Sequence, residues 1–428
     1  MKNSFTGKNY SMSVTCLLII IFAGLSNCTK NDQVLNPNPA NPAVLNTSTL
    51  ISTKVITGPV LQPIGSSAWD GKIDAIWNNA PKITAHAEVP DPGNGAFPGG
   101  FIGTRTDISM RSLYDASNIY FLIEWNCSQK NVRSAQWYYN PVTKRWAQEL
   151  GTPVIDNNGI ITRPPFIQDQ FVIMFNIDNS CASFNSNSCF GACHVMSAAG
   201  AGAVMYTNGP TEKLDCWRAR MLQVMNINQA NDTYIDWGGG LNNANQVHND
   251  VQVNTADGGG NNRQSIKISG TNTSVNLPIW MKINGSYSNS AILSSDTNNC
   301  VFITAVDSLG VLSYATARGG ASIGNIDPRT SANGNAFQQV GKDDGPLCIP
   351  GSLVAPYSGN RGDVTANAYW TGNGWRLLLK RALKTNDAVK QDVDFSSLSD
   401  QPFGIGAMFN GADNQHAIVS GLMLKFQK

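Results

Sequence analysis

Paired segments of strand-like sequence, joined by tight turns, constrain this chain more than any other feature. Residues 106–114 alternate between apolar and polar, an Asp-Ala-Ser-Asn turn follows, and residues 119–125 form a second apolar segment. This order predicts a β-hairpin. The other predicted strands are short apolar runs bounded by turn residues: 170–176, 364–370 paired with 375–379, and 403–409 paired with 416–426. Strands near both ends of the chain predict a mainly β fold, either an antiparallel β-sandwich or an open barrel, and the sandwich is favoured.

The middle of the chain has a different composition. Residues 178–262 are rich in Asn, Gly, Ser and Ala, show little alternation, and contain one predicted helix at 212–225. Long loop-rich insertions in a β domain usually carry function. We therefore expect a single domain over 54–428, with a loop- and helix-containing insertion at about 178–262.

The N-terminal residues indicate export and a lipid anchor. Two lysines precede an apolar run at 14–25, which is too short to span a bilayer and is typical of a secretion signal. The run ends in Leu-Ser-Asn-Cys, which resembles a bacterial lipobox except for Asn27. We expect a signal peptide at 1–27, lipidation of Cys28, and a Pro-rich disordered tether at 28–53. The alternative is ordinary secretion with Cys28 as a plain thiol.

These features predict a protein of the cell envelope, held by its lipid at the outer membrane or the periplasmic face. The 30 Lys and Arg residues against 29 Asp and Glu give a formal charge of +1, which argues against a nucleic-acid partner. The sequence has no recognisable nucleophile elbow, catalytic carboxylate pair motif or phosphate-binding glycine loop, so we expect no enzymatic activity.

The sequence Cys189-Phe-Gly-Ala-Cys193-His194 is the most distinctive chemical motif. A c-type haem is attached through two nearby thiols, and a His directly after the second thiol ligates the iron. Here three residues separate the thiols instead of two, and Gly191-Ala192 eases the extra bulge. Met205 follows a run of small residues and is a candidate sixth iron ligand, the alternative being a core side chain.

Three other interpretations of the motif are open. Cys189 and Cys193 can form a disulfide in an oxidising compartment. Cys181, Cys189, Cys193 and His194 have the ligand count of a zinc site, although not the usual spacing. Finally, Cys189 can pair with Cys181 and leave Cys193 free. Seven cysteines follow Cys28, so disulfides alone cannot use them all.

Several segments, taken in order, resemble the ethylbenzene dehydrogenase-type haem-binding family over about 65–428. They are the Trp-Asp-Gly-Lys-Ile-Asp-Ala-Ile-Trp opening at 69–77, followed by 113–121, 169–175, 189–194, 215–219, 375–383, 392–395 and 403–406. The resemblance implies a β-sandwich that binds haem and passes electrons to a redox partner protein. It also implies a b-type haem held by Met and Lys, for which Met205 and Lys380 are the positions that fit. The Cys-Cys-His segment departs from that pattern, so c-type attachment is favoured and b-type stays open.

The sequence therefore predicts a lipid-anchored, haem-binding electron-transfer protein. Its opening segment also resembles family-nine carbohydrate-binding modules, which share the sandwich. The alternative is accordingly a surface carbohydrate-binding module without haem. A stacking platform for sugar would come from Trp137, Tyr138, Tyr139 and Trp146, or else these residues are strand and core positions.

Overall fold

The structure is a computed structural model, and it describes thirteen stretches of the chain. They are residues 49–90, 102–149, 154–155, 161–163, 168–187, 192–194, 204–238, 246–253, 258–282, 291–293, 300–330, 349–409 and 416–428. Within these stretches, no helix has the length and apolar character needed to cross a bilayer.

Strands dominate the described residues. Those before residue 200 are β1 Thr49–Lys54, β2 Ile83–Glu88, β3 Arg105–Tyr114, β4 Asn118–Asn126, β5 Trp137–Asn140, β6 Arg145–Gln148, β7 Val154–Ile155, β8 Ile161–Arg163, β9 Gln170–Asn176 and β10 Cys193–His194. Those between 200 and 300 are β11 Val204–Met205, β12 Leu214–Arg220, β13 Asn231–Ile235, β14 Val247–Asn249, β15 Gly260–Asn261, β16 Gln264–Lys267, β17 Ser274–Leu277, β18 Trp280–Lys282 and β19 Ala291–Leu293. The remainder are β20 Cys300–Val306, β21 Leu312–Ala315, β22 Gly324–Ile326, β23 Ser352–Val354, β24 Thr365–Trp370, β25 Gly374–Ala382, β26 Gln401–Met408 and β27 Ala417–Phe426.

Among the residues that the structure describes, helices are few and short. The α-helices are α1 Ala182–Asn187 and α2 Met221–Ile227, and the 3-10 turns are Ala75–Asn79, Ile177–Asn179 and Gly359–Gly362.

The main sheet has two halves that face each other. Its strand order is β14-β13-β12-β9-β26-β27-β1-β3-β4-β25-β24, and β2 pairs with both β3 and β27. Neighbours are antiparallel except at β1, which runs parallel to both β27 and β3 and so joins the halves. The Phe121 ring of β4 lies 6.2 Å from the Phe175 ring of β9 and 5.9 Å from the Trp217 ring of β12. The two inner faces therefore share one core, which confirms the predicted mainly β sandwich.

The strand pairs predicted from alternation are confirmed. β3 pairs with β4, β24 with β25, and β26 with β27, all antiparallel. In each pair, alternate side chains enter the core because successive residues of a strand point to opposite faces. Thus Trp125 and Trp375 are buried, while their neighbours Glu124 and Arg376 lie on the outer face.

The prediction of a helix at 212–225 is wrong. Residues Leu214–Arg220 form strand β12, and the helix α2 begins only at Met221. β12 pairs with β9 on one side and β13 on the other. Residues 178–262 thus supply strands of the main sheet as well as loops. The domain boundaries at 54 and 428 stay a prediction.

A second apolar cluster lies apart from the main core. It is built on the β5–β6 and β16–β17 hairpins and the four-stranded sheet β18-β20-β21-β22. Its buried side chains include Trp137, Tyr139, Trp146 and Ile303.

Candidate functional site

The backbone brings part of the predicted haem motif together. Cys193 and His194 form β10, and their partners on β11 are Met205 and Val204 respectively. The Met205 side chain is half-buried against an apolar cluster that includes Met174. Cys189 and Cys28 lie outside the described residues. The ligand roles given to Cys189, Cys193, His194 and Met205 stay predictions.

Cys181 lies in the same apolar cluster that Met205 packs against, whereas Lys380 lies on another sheet. Cys181 carries a free, buried thiol whose Sγ lies 3.4 Å from the Ser183 Oγ, and its predicted alternative partner Cys189 lies outside the described residues. Lys380 lies on β25, where its ammonium is 6.0 Å from the centre of the Tyr120 ring. Lys380 therefore lies on a strand of the main sheet, between β4 and β24, whereas Met205 lies on β11, which pairs with β10 in a separate two-stranded sheet.

The buried thiols should be chemically inert in the native protein. Burial raises the pKa of Cys216 to about 11, and the thiolate is the reactive form. We expect iodoacetamide at neutral pH to modify Cys216 only after unfolding, as measured by peptide mass spectrometry in native and urea-unfolded samples. Equal alkylation rates in both samples would contradict the buried environment.

Three of the four aromatic residues proposed as a sugar platform are core residues, and the fourth, Tyr138, is half-buried on strand β5. Trp137, Tyr139 and Trp146 are buried in the second cluster. The indole N–H of Trp137 donates to the Asn262 carbonyl at 2.8 Å, and that of Trp146 donates to the Gly310 carbonyl at 2.8 Å. Since these three rings are buried and Tyr138 lies on a strand, the platform interpretation is wrong and the strand and core interpretation is confirmed.

A different surface has the features of a binding site. A polar groove of about 340 Å³ lies on the outer face of β2, β3, β4 and β25, and we call it the sheet-face groove. It is lined by Thr84, Asp107, Ser109, Glu124, Trp125, Asn126, Thr371, Asn373, Trp375 and Arg376.

The register of five strands builds the centre of this groove. Thr84 of β2 faces Ser109 of β3, which in turn faces Glu124 of β4. Glu124 faces Arg376 of β25, and Arg376 faces Tyr369 of β24. Directly opposite residues have Cβ atoms about 5 Å apart and share a face. The five side chains therefore form one row across the sheet.

The row is already ordered by hydrogen bonds. The Arg376 Nε donates to the Glu124 Oε1 at 2.8 Å, and its Nη1 donates to the Gly71 carbonyl at 2.6 Å. The two side chains of this ion pair remain 24% and 36% exposed. Beside them, His86 Nδ1 lies 2.6 Å from Asp107 Oδ1. Planar donors and acceptors thus face solvent in fixed positions.

An exposed aromatic ring ends the row. Tyr369 is 38% exposed and packs edge-on against Trp69, with ring centres 6.4 Å apart. Gly71 has a φ of +79°, and a Cβ there would lie 2.4 Å from the Tyr369 Cδ1. Only glycine lets the loop approach this closely, and the loop fixes the ring in place.

Sequence reasoning missed this site. Glu124, Ser109 and Tyr369 lie in segments that were interpreted only as strands, and the alternation places them on the face opposite the core. The alternation therefore predicts that these side chains lie on the outer face of the sheet. It does not predict that they form one row, because the row depends on the register between strands that are distant in sequence.

Comparison with known proteins places the chain in a family. The chain belongs to the ethylbenzene dehydrogenase family, whose model matches residues 74–419. No curated protein matches it. Among solved structures it is similar to a carbohydrate binding module of family 9 from Caldicellulosiruptor kristjanssonii in complex with cellotriose. The similarity covers 89% of this chain and 95% of that one, at 9% identity and a TM-score of 0.26.

The predicted family is confirmed, but the predicted haem-binding electron-transfer function is wrong. The matching family model describes an ethylbenzene dehydrogenase.

Proposed function

We propose that the protein is a surface carbohydrate-binding module that holds its ligand in the sheet-face groove. The observation that carries the proposal is the ordered row of polar side chains ending at an exposed Tyr369 ring. Saccharides present vicinal hydroxyls along their edges and apolar C–H groups on their faces. A ligand of that kind needs planar polar groups beside an aromatic surface, which the groove and the Tyr369 ring next to Arg376 provide.

The charges of the groove indicate a neutral saccharide. Two carboxylates, Asp107 and Glu124, line it with one guanidinium, Arg376, and no lysine. A polyanionic glycan would meet like charge there, which costs binding free energy. Hydroxyl groups can instead accept from Arg376 and donate to Glu124 across the same ion pair.

The N-terminal sequence supports a position at the cell envelope. Residues 49–53, predicted as part of the tether, belong to strand β1 of the main sheet. A lipid on Cys28 and a Pro-rich tether between Cys28 and β1 would hold the module away from the membrane while leaving it free to reorient. We propose that the module is non-catalytic and that the tether presents its groove to extended glycans.

Truncating the central arginine should weaken binding. We expect Arg376→Ala to reduce affinity at least about tenfold, or about 1.4 kcal/mol, because it removes donors to the ligand and leaves Glu124 unpaired. A microarray of neutral oligosaccharides identifies a ligand, and isothermal titration calorimetry measures the affinity of each variant.

The matched control is Arg329→Ala. Arg329 forms a similarly exposed ion pair with Asp327 at 2.7 Å but does not line the groove. We expect this variant to bind like the wild type. The groove would be refuted as the binding site if Arg376→Ala left the affinity unchanged, or if both variants lost affinity equally.

A further inference from the structure

A cluster of carboxylates is buried beside the main core, away from the sheet-face groove. Asp215 lies on β12, Asp232 on β13 and Asp392 in the segment between β25 and β26. Each has a carboxylate oxygen within 4.8 Å of the others, and all three are buried. Asp250 adjoins them, since its N–H donates to the Asp232 carbonyl at 3.3 Å.

One cation of the protein lies among these acids. The Arg381 Nη1 donates to the Asp215 Oδ2 at 2.6 Å and to the Asp392 Oδ1 at 3.2 Å. Its guanidinium also stacks 4.7 Å from the centre of the Trp217 ring. One guanidinium against four carboxylates leaves an excess of negative charge.

Several carboxylate oxygens of the cluster have no partner among the described residues. They are both oxygens of Asp232, both of Asp250, and the Oδ1 of Asp215. Asp232 is 0% exposed and Asp250 is 1% exposed. Burying ionised oxygens without compensation is costly, so a further positive species is needed between them.

We propose that Asp215, Asp232, Asp250 and Asp392 bind a divalent cation, with Ca²⁺ as the metal that fits best. The cluster offers only oxygen donors, which are the ligands that Ca²⁺ and Mg²⁺ prefer. Ca²⁺ accepts six to eight oxygens in flexible geometry, whereas Mg²⁺ keeps several waters. The converging carboxylates of Asp215, Asp232 and Asp392, with the unpartnered oxygens of Asp250 beside them, therefore favour Ca²⁺.

Neighbouring groups would orient the ligands. Arg381 holds Asp215 and Asp392 in place, and the Thr385 Oγ1 donates to the Asp392 Oδ2 at 2.6 Å. Such outer contacts set the direction of ligating carboxylates. The ion would join β12, β13, the residue that follows β14, and the segment before β26, so we assign it a structural role that is independent of ligand binding in the groove.

The alternative occupants are protons. Burial and the nearby carboxylates raise the pKa of Asp250 to about 9, so this acid would be protonated at neutral pH without a metal. The two possibilities differ in one measurable property: a proton network does not respond to calcium.

Thermal unfolding of the purified full chain tests the site. We expect the midpoint after EDTA treatment and dialysis to rise by about 5 °C or more when CaCl₂ is added well above its Kd. Asp232→Asn should lose this rise. In EDTA it should be at least as stable as the wild type, because the substitution removes one excess negative charge.

Asp236→Asn is the matched control. Asp236 follows β13 directly but lies partly exposed and pairs with His248 at 3.2 Å. Its variant should keep the calcium response. A metal analysis of the wild type supplies a readout that does not depend on variants, and about one calcium per chain is expected. No bound metal together with an unchanged midpoint would overturn the site in favour of protons, whatever the groove binds.

Discussion

Replacing Arg381 with Met is expected to lower the free energy of unfolding by about 3–5 kcal/mol, because breaking a buried ion pair strands its partner charges. The Arg381 side chain is fully buried and bridges Asp215 and Asp392. Methionine has a similar volume, so the loss of stability would come from the missing charge and not from a cavity. Urea unfolding followed by far-ultraviolet circular dichroism measures the change.

Arg376→Met is the control for this variant. Arg376 pairs with Glu124 at the surface, where ion pairs contribute about 0–1 kcal/mol. A loss below about 1 kcal/mol at Arg381 would show that the buried carboxylates do not depend on its charge.

The second large effect is expected at the junction of the two sheet halves. Phe175→Ala should destabilise the protein by about 3–5 kcal/mol, the usual result of emptying a buried aromatic position. The Phe175 ring centre lies 5.1 Å from those of Trp217 and Phe395 and 6.2 Å from that of Phe121. The cavity would therefore be shared by strands of both halves.

Chemical denaturation measures this loss against Ile323→Ala, a truncation at a side chain that is 60% exposed. The exposed truncation should change stability by less than about 0.5 kcal/mol. If Phe175→Ala were equally mild, the aromatic contacts would not hold the two halves together.

Much of the sandwich follows from local sequence. The β3–β4 and β24–β25 hairpins combine alternation with short turns, and both signals lie within about 25 residues. By contrast, β12 is buried at Leu214, Asp215, Cys216 and Trp217 in succession, so it lacks clean alternation. Its strand conformation depends on pairing with β9 and β13, which no local pattern encodes.

The two candidate sites show the same limit more strongly. Thr84, Ser109, Glu124 and Arg376 are ordinary residues individually, and only the register of four strands aligns them. The carboxylate cluster likewise gathers residues from 215 to 392. The Cys-Cys-His motif was conspicuous in the sequence because its residues are adjacent, whereas the residues of the groove and of the carboxylate cluster come from distant segments.

The most direct test of the proposed function is affinity electrophoresis in native gels that contain a soluble neutral polysaccharide. The wild type should be retarded relative to a gel without polysaccharide. A Glu124→Ala/Arg376→Ala double variant should migrate alike in both gels, because it loses the central ion pair of the groove. Two results would contradict carbohydrate binding in the sheet-face groove. The double variant could be retarded as strongly as the wild type, or the wild type could migrate without retardation in gels of every neutral glycan that it binds on the microarray.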